Sequence, residues 1–454
     1  MFPSPILRLL IMLTCLLWQA ALPAMPTDKV VVSLRFVGDS VAIANEAPSV
    51  VKVTHNDTAT AVRVYIKQTD RHPEIRLSGK STCSRLIVSS AVDYTIVADS
   101  LHLQCGNKRV IRSLTDRSVT LHLADGTANV LHGGIKCGGN LLINGHGSLS
   151  VSTHKDGEEY VKPSGRKAYH TAKCIYVKGD LTIDSGTIDC LSTGLGGKGI
   201  EAVGRLAIGR SGDAPTLRVE TTAGPIVNDT TADKRYGCPK GIKARAAIYV
   251  YGGRIYVKTH GMGGEGIESR TGMKVKGGYI ECHTYDDGIN VGKNFSMTGG
   301  TVYCHSIDND GIDSNGSLTI DGGHLTAISS HRFNEGLDAH RRQISVHGGT
   351  VIAMGGSPIR LKETTQPYYS TGISRLWPSP THIHLREGSH YAVTKDGMTL
   401  WKLTCPREVQ KGSLFVSAPT LEPAVTYTVE EDGQALLTFK PSVSTTESED
   451  DTMR

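Results

Sequence analysis

The stretch Glu265-Gly266-Ile267-Glu268 opens a series of four similar phrases, each an acid, a glycine, an apolar residue and then an acid or asparagine. The other three are Asp287-Gly288-Ile289-Asn290, Asp310-Gly311-Ile312-Asp313 and Glu335-Gly336-Leu337-Asp338. Their glycines are 22, 23 and 25 residues apart, and a Gly-Gly pair follows each phrase. Glycine at a period of 20–30 residues is typical of a solenoid, in which each repeat packs on its neighbours.

The segments between the glycines alternate apolar and polar residues, which predicts short strands instead of helices. From residue 134 onward eight repeats can be aligned, each with three such segments. The first segment contributes one apolar residue per repeat, in order Ile135, Ile175, Ile200, Ile242, Ile267, Ile289, Ile312 and Leu337. The other two contribute two each, for example Leu141 with Ile143 and Leu149 with Val151. Since side chains alternate between the faces of a strand, these positions would line a three-sided coil. The sequence predicts an all-β protein, a parallel β-helix (solenoid) with N- and C-terminal β caps.

Residues 1–24 have the features of a secretory signal peptide: Arg8, an apolar run over residues 9–17 and the small residue Ala24. The run is short for a membrane span, so a retained anchor is the weaker alternative. No later segment is long and apolar enough to span a membrane as a helix, so we expect a secreted protein, extracellular or at the cell surface. The predicted regions after the signal peptide are an N-terminal β cap (25–75), the parallel β-helix (76–360), C-terminal β coils or a cap (361–440) and a disordered acidic tail (441–454).

The formal net charge of +5 is modest for 454 residues, and there is no zinc-finger spacing, RNA-binding signature or basic arm. Nucleic acid is therefore not an expected partner. Nine cysteines follow the predicted signal peptide, an odd number. Cys190, Cys282 and Cys304 fall in one apolar column, which favours buried free thiols. Cys282 and Cys304 are one coil apart, so a disulfide between them remains an alternative.

The acids of the repeated phrase recur at the same corner of successive coils. Like charges stacked about 5 Å apart repel by roughly 0.8 kcal/mol in bulk water and about 3–4 kcal/mol at a protein-like dielectric. Either full hydration or a bound cation would relieve this repulsion, and carboxylate and amide oxygens suit Ca²⁺. The predicted calcium ligands are Glu265, Glu268, Asp286, Asp287, Asn290, Asp308, Asp310, Asp313, Glu335 and Asp338. The alternative is a hydrated acidic corner without a fixed ion, because Asp, Asn and Gly are common in turns.

Aromatic and basic residues occupy outward positions of the predicted strands. Tyrosine can stack on sugar rings, and lysine can bind the carboxylates of uronate sugars. The candidate carbohydrate-binding residues are Tyr256, Tyr279, Tyr303, Lys274 and Lys276. The alternative is an ordinary solvated strand face, on which tyrosine is present for its β-propensity.

With these repeats aligned, the chain resembles a bacterial secreted family, the carbohydrate-binding domain-containing proteins. The matching phrases are Leu123-Ala124-Asp125-Gly126-Thr127-Ala128-Asn129, Asp286-Asp287-Gly288-Ile289-Asn290, Asp310-Gly311-Ile312-Asp313-Ser314-Asn315-Gly316 and Asp321-Gly322-Gly323. The resemblance covers roughly residues 60–360. It implies a right-handed single-stranded parallel β-helix that binds calcium and acidic or plant cell-wall polysaccharide such as polygalacturonate, without established catalysis.

Four functions are therefore compared. The first is a non-catalytic, calcium-binding carbohydrate-binding protein of the cell surface. The second is a calcium-dependent, pectate-type polysaccharide lyase, for which Lys274, Lys276, Lys293 or Arg341 could remove a proton. The third is a glycosidase, and the fourth is a structural surface stalk or adhesin. The acidic corner without a compact acid/base group favours the first. The oligomeric state is not predicted.

Overall fold

The computed structural model describes residues 29–56, 60–232, 234–371, 383–442 and 445–446. The predicted signal peptide and most of the predicted tail lie outside these residues. The described chain is all-β, and its only helical turn is a 3₁₀ segment at His340–Arg342. No helix in this part of the chain is long and apolar enough to cross a membrane.

One twelve-stranded sheet contains the repeated acidic phrases. We call it the first column, and its pairs are parallel except for an antiparallel pair at its N-terminal end. In spatial order its strands are β3 (Val51–Thr54), β4 (Val62–Ile66), β6 (Leu86–Ser90), β8 (Ile111–Ser113), β11 (Ile135–Cys137), β16 (Lys173–Val177), β19 (Lys198–Ala202), β24 (Lys240–Ala244), β27 (Glu265–Ser269), β30 (Ile289–Val291), β33 (Ile312–Ser314) and β35 (Leu337–Ala339).

A second, larger sheet contains two further columns of parallel strands. The second column is β9 (Val119–Leu123), β12 (Leu141–Gly145), β17 (Leu181–Ile183), β20 (Leu206–Ile208), β25 (Ile248–Val250), β28 (Gly272–Val275) and β31 (Asn294–Met297). The third column is β10 (Ala128–His132), β13 (Ser148–Thr153), β18 (Thr187–Ser192), β21 (Thr216–Thr221), β26 (Arg254–Thr259), β29 (Tyr279–Thr284) and β32 (Thr301–Ser306).

Further strands extend this sheet at both ends of the two columns, and because some of them pair antiparallel, the sheet is mixed. At the N-terminal end they are β1 (Lys29–Val37), β2 (Ser40–Asn45), β5 (His72–Ser81) and β7 (Tyr94–Gln104). At the other end they are β34 (Leu318–Ser329), β36 (Ile344–Gly355), β37 (Leu361–Thr364), β38 (Tyr368–Ser370), β39 (Ile383–Leu385), β42 (Val409–Ser417) and β45 (Thr445–Thr446). The parallel pairing thus begins at β1, before the predicted boundary at residue 76.

The alternation read from the sequence matches the burial of side chains. Every aligned apolar position of the three columns is buried in one continuous core. In β26, for example, Ile255 and Val257 are buried while Arg254 and Lys258 are exposed. Cys282 and Cys304 are register partners inside this core, and both are free thiols.

The Gly-Gly pairs form tight corners between the second and third columns. The second glycine of a pair has positive φ, as at Gly300 (φ +86°). A Cβ on Gly300 would lie 2.8 Å from backbone atoms of Gly277 and Gly278 in the previous coil. Only glycine fits such a position without displacement, which explains the regular punctuation of the sequence.

Two hairpins and a C-terminal sheet are added to the columns. The hairpins are β14 (Glu158–Val161) with β15 (Lys167–His170), and β22 (Val227–Asp229) with β23 (Lys234–Tyr236). The C-terminal sheet is antiparallel, in the order β41 (Met398–Thr404), β40 (His390–Lys395), β43 (Tyr427–Glu431) and β44 (Gln434–Phe439). Its apolar face packs in a second core with Ile328, Ile352 and Met354 of β34 and β36.

Candidate functional site

The repeated phrases lie in the neighbouring first-column strands β27, β30, β33 and β35. Glu268 is the register partner of Asn290, Asn290 of Asp313, and Asp313 of Asp338. Register partners in a parallel sheet lie on the same face, and paired strands are about 4.8 Å apart. These side chains therefore form a row that runs from coil to coil, which we call the edge of the first column. We call the ten predicted ligand residues the acidic ladder: Glu265, Glu268, Asp286, Asp287, Asn290, Asp308, Asp310, Asp313, Glu335 and Asp338.

Two lysines of the preceding strand β24 neutralise the first phrase. Lys240 Nζ forms an ion pair with Glu265 Oε1 and lies 3.9 Å from Glu268 Oε2. Lys243 Nζ lies 2.6 Å from Glu268 Oε1. Both lysine side chains are almost completely buried. Glu265 and Glu268 therefore already have cations of the protein as partners.

The edge before β24 is balanced in the same way around Glu201, whose side chain is fully buried. Arg245 Nη2 lies 2.7 Å from Glu201 Oε1, and Lys173 Nζ and Lys198 Nζ each lie 3.4 Å from Glu201 Oε2. Burial raises the pKa of Glu201, but Lys198, Lys173 and Arg245 outweigh that effect and lower the pKa to about 2. In this part of the first column, cations of the protein therefore compensate the buried carboxylate.

The three later phrases differ, because no ion pair within the described residues involves their acids. Burial and neighbouring carboxylates raise the pKa of these groups: that of Asp313 to about 7 through burial and Asp310, and that of Glu335 to about 8 through burial and Asp310. Burial also raises the pKa of Asp310, to about 6, and that of Asp287 well above its ordinary value. Ionising all of these acids together is therefore unfavourable, and Arg360 opposes the rise only at Glu335.

Hydrogen bonds fix the carboxylates in this arrangement. The backbone N–H of Asp310 donates to Asp287 Oδ1 over 3.1 Å, and that of Glu335 donates to Asp310 Oδ1 over 2.8 Å. Asn290 Nδ2 donates to Asp287 Oδ2 over 2.8 Å. Asp287 and Asp310 thus each accept a hydrogen bond from the backbone of the next coil. Among the described residues, neither carboxylate forms an ion pair.

An asparagine series beside the ladder was missed in the sequence. Asn309 Nδ2 donates to Asp286 Oδ1 over 2.9 Å, and Asn334 Nδ2 donates to Asn309 Oδ1 over 2.6 Å. These residues share one offset, two positions before the glycine of the phrase, and that offset could have identified them. Asp308, the residue before Asn309, instead pairs with Arg235 Nη1 at 3.5 Å.

The fit of the ladder to calcium rests on its donors. Among the described residues no group of three or more His, Cys, Asp or Glu side chains is gathered as a metal-binding cluster. The later phrases nevertheless offer carboxylate and amide oxygens, the hard ligands that Ca²⁺ prefers. In addition, Glu265 Oε2 is buried and has no hydrogen-bond partner. By donor chemistry the ladder suits a hard cation, which Asp287, Asp310, Asp313 and the acids beside them would hold.

The predicted carbohydrate-binding residues do not form one surface. Tyr256 and Tyr279 are neighbours on the third column, with ring centroids 5.7 Å apart. Tyr303 lies on the same column but packs against the second core, under the C-terminal sheet. Lys274 is exposed on the second column, and Lys276 Nζ lies 5.1 Å from the centroid of the Tyr251 ring. The lysines and the tyrosines therefore stand on different columns.

The fold and the ladder define an all-β repeat protein with a charged edge. A family model described as "Carbohydrate-binding domain-containing protein" matches residues 134–288, 241–311 and 258–374, which together span more than half of the chain. The chain belongs to this family of carbohydrate-binding domain-containing proteins. No curated protein and no solved structure matches it.

Proposed function

We propose that this protein is a secreted, calcium-binding, non-catalytic protein of the cell surface that recognises acidic, plant cell-wall polysaccharide such as polygalacturonate. Family membership supports carbohydrate binding. The ladder supports calcium binding, the leader-like N-terminus supports secretion, and the resemblance of the repeats supports an acidic polysaccharide.

We also infer that residues 76–360 wind as a right-handed single-stranded parallel β-helix. Residues 22 positions apart are partners in all three columns: Ile267 with Ile289, Met273 with Phe295, and Ile280 with Val302. One turn of chain that advances each column by one strand accounts for this constant offset. The right hand is the usual hand of crossovers between parallel strands.

The observation that carries the calcium proposal is the change along one edge of the first column. Up to Glu268 each buried acid has a lysine or arginine partner, whereas among the described residues no ion pair involves the phrase acids Asp287, Asp310, Asp313, Glu335 and Asp338. Carboxylates about 5 Å apart repel by about 3–4 kcal/mol at a protein-like dielectric. A bound divalent cation would relieve this repulsion. It would also offer a positive charge to the carboxylates of an anionic glycan.

The positions of two of the four candidate bases favour binding over the lyase reaction, while Lys293 and Arg341 follow the first-column strands β30 and β35 and form no ion pair among the described residues. Lys274 and Lys276 are exposed beside the second column, while the ladder lies on the first column. A lyase needs its base and its metal-bound uronate at the same sugar. We therefore assign no catalytic residue.

The test uses residues 25–454 in affinity gel electrophoresis with polygalacturonate, in calcium or in EGTA. We expect retention in calcium only, no ultraviolet-absorbing unsaturated product, and a higher unfolding midpoint in calcium. Calcium at 100 times its Kd would raise the free energy of unfolding by about 2.7 kcal/mol. Asp287→Asn with Asp310→Asn should abolish this calcium effect.

The matched control is Asp39→Asn with Asp213→Asn, which removes two exposed carboxylates away from the ladder. It should behave as the wild-type protein does. A midpoint that calcium does not raise would refute the calcium proposal. Formation of unsaturated product would refute the non-catalytic proposal in favour of the lyase.

A further inference from the structure

The two inserted hairpins stand at the same corner of the coils as the acidic ladder. The β14–β15 hairpin lies between β13 and β16, and the β22–β23 hairpin lies between β21 and β24. Asp286 and Asp308 occupy the equivalent connections, from the third to the first column, in later coils. Arg235 of the second hairpin reaches Asp308 of the ladder at 3.5 Å. Hairpins and ladder therefore form one continuous edge.

Packing fixes the hairpins to the coils and to each other. Ile226 fills the space between them: a Cβ on Gly157 would lie 2.3 Å from Ile226 Cδ1, and a Cβ on Gly237 would lie 2.8 Å from it. The backbone N–H of Gly157 donates to the carbonyl of Leu195 over 2.8 Å. Two-stranded hairpins are marginal alone, so these contacts are what orders them.

Four aromatic rings stand on the ordered hairpins. The Tyr160 and His170 rings are nearly parallel, with centroids 4.0 Å apart and planes 9° apart. Tyr169 of the first hairpin stacks on Tyr236 of the second at 6.2 Å. Tyr160 keeps 36% and Tyr236 keeps 40% of its surface exposed. These rings lie outside both hydrophobic cores, so core packing does not explain them.

Basic residues lie on or beside the same two hairpins as the rings. Lys155 pairs with Glu158 at 3.1 Å, and Lys167 pairs with Glu159 at 3.0 Å. In the described part of the chain, the exposed Lys162 and Arg166 at the tip of the first hairpin form no ion pair, nor does the exposed Lys234 of the second. Unpaired cations on the same hairpins as exposed aromatic rings suit a ligand that has both sugar rings and carboxylates.

A cavity lined by polar residues and glycines adjoins the base of the first hairpin. Its volume is about 320 Å³, and its lining includes Gln104, Asn107, His132, Ser152 and His154. That volume falls at the lower end of small-molecule sites, about 300–1,000 Å³, and is sufficient for a single sugar unit. Cavity, rings and ladder follow one another along the same edge.

We propose that the two hairpins form an aromatic, basic platform that binds an anionic polysaccharide. Sugar rings stack on Tyr160, His170 and Tyr236, while Lys162, Arg166 and Lys234 contact the uronate carboxylates. This inference rests on the proposed function for the class of ligand, and it assigns the contact to residues outside the predicted tyrosines Tyr256 and Tyr279.

The test measures retention of residues 25–454 by polygalacturonate and by fully methyl-esterified pectin in calcium. Tyr160→Ser with Tyr236→Ser should weaken binding to polygalacturonate at least tenfold. Lys162→Gln with Arg166→Gln should weaken binding to polygalacturonate and leave binding to the esterified polymer unchanged. Tyr256→Ser with Tyr279→Ser is the matched control and should bind as the wild-type protein does. Equal unfolding midpoints establish that the variants are folded.

The outcomes separate this inference from the proposed function. Wild-type retention that the hairpin substitutions leave unchanged would overturn the platform and leave the proposed function standing. Loss of retention only in the Tyr256 and Tyr279 variant would place the site on the third column and also overturn the platform. Absence of wild-type retention by polygalacturonate would overturn the anionic ligand class in both proposals.

Discussion

Replacing Lys240 with methionine removes a cation from a nearly buried position at the start of the acidic ladder. Lys240 is 9% exposed, forms an ion pair with Glu265 and lies 3.9 Å from Glu268 Oε2. Methionine keeps an unbranched apolar stem, so the packing of the lysine methylene groups is largely preserved. The substitution therefore isolates the effect of the charge.

Removal of one partner of a buried ion pair costs about 3–5 kcal/mol, because the remaining charge is left uncompensated. Glu268 keeps Lys243 at 2.6 Å. Glu265 has no such second partner, and its Oε2 atom already lacks a hydrogen bond. We expect Lys240→Met to lower the free energy of unfolding by about 3 kcal/mol when calcium is absent.

The assay is urea unfolding in EGTA followed by circular dichroism, for Lys240→Met, Glu265→Gln and the double variant. The double variant has no unpaired charge, so it should recover at least about 1 kcal/mol relative to Lys240→Met, within the usual coupling of contacting residues. Lys258→Met removes an exposed lysine of β26 and should stay within about 0.5 kcal/mol of wild type. The reasoning is refuted if Lys240→Met is as stable as Lys258→Met, or if the double variant recovers nothing.

Two further predictions concern Glu201 and Gly300. Ionised Glu201 stabilises the fold fully above its ordinary pKa of 4.5, and this contribution is lost as the pH falls to the folded value of about 2. Glu201→Gln should thus be less stable than wild type at pH 7. The difference in unfolding midpoint should vanish as the pH falls from 4.5 to about 2. A difference that stays constant over this pH range would contradict the prediction. Gly300→Ala should cost at least about 1–2 kcal/mol through its positive φ, plus its clash with the previous coil. Gly165→Ala, with positive φ and no neighbour within 4 Å, should cost less in the same urea titration; equal losses would contradict the clash.

The sequence allowed the strands and their inward faces to be predicted, because alternation and tight turns are local properties of the backbone. Ile267 and Val257 are buried as predicted, and Gly300 has the positive φ that its Gly-Gly pair suggests. The stacking of Glu268, Asn290 and Asp313 was predictable for the same reason, since a regular repeat brings equivalent positions together. The calcium ligands among them remain a prediction.

The sequence did not reveal which charges are compensated, because ion pairs depend on side chains from different coils. Lys240 and Glu265 are 25 residues apart and meet only through the register of β24 and β27. Tyr303 was predicted to be an exposed sugar-binding residue, but the C-terminal sheet folds back against its column. Asn309 and Asn334 were missed because asparagine in a turn is common without any such contact.

The sequence by itself thus determined the period, the strands and the residues that face the core, since these follow from backbone geometry within one repeat. Only the tertiary structure decided that Lys240 neutralises the first phrase, while the acids of the later phrases form no ion pair in the described part of the chain. It also decided that Tyr169 and Tyr236, 67 residues apart in the chain, stack between the two hairpins. Both results depend on the packing of separate coils, because side chains distant in sequence share an environment only after the chain has folded.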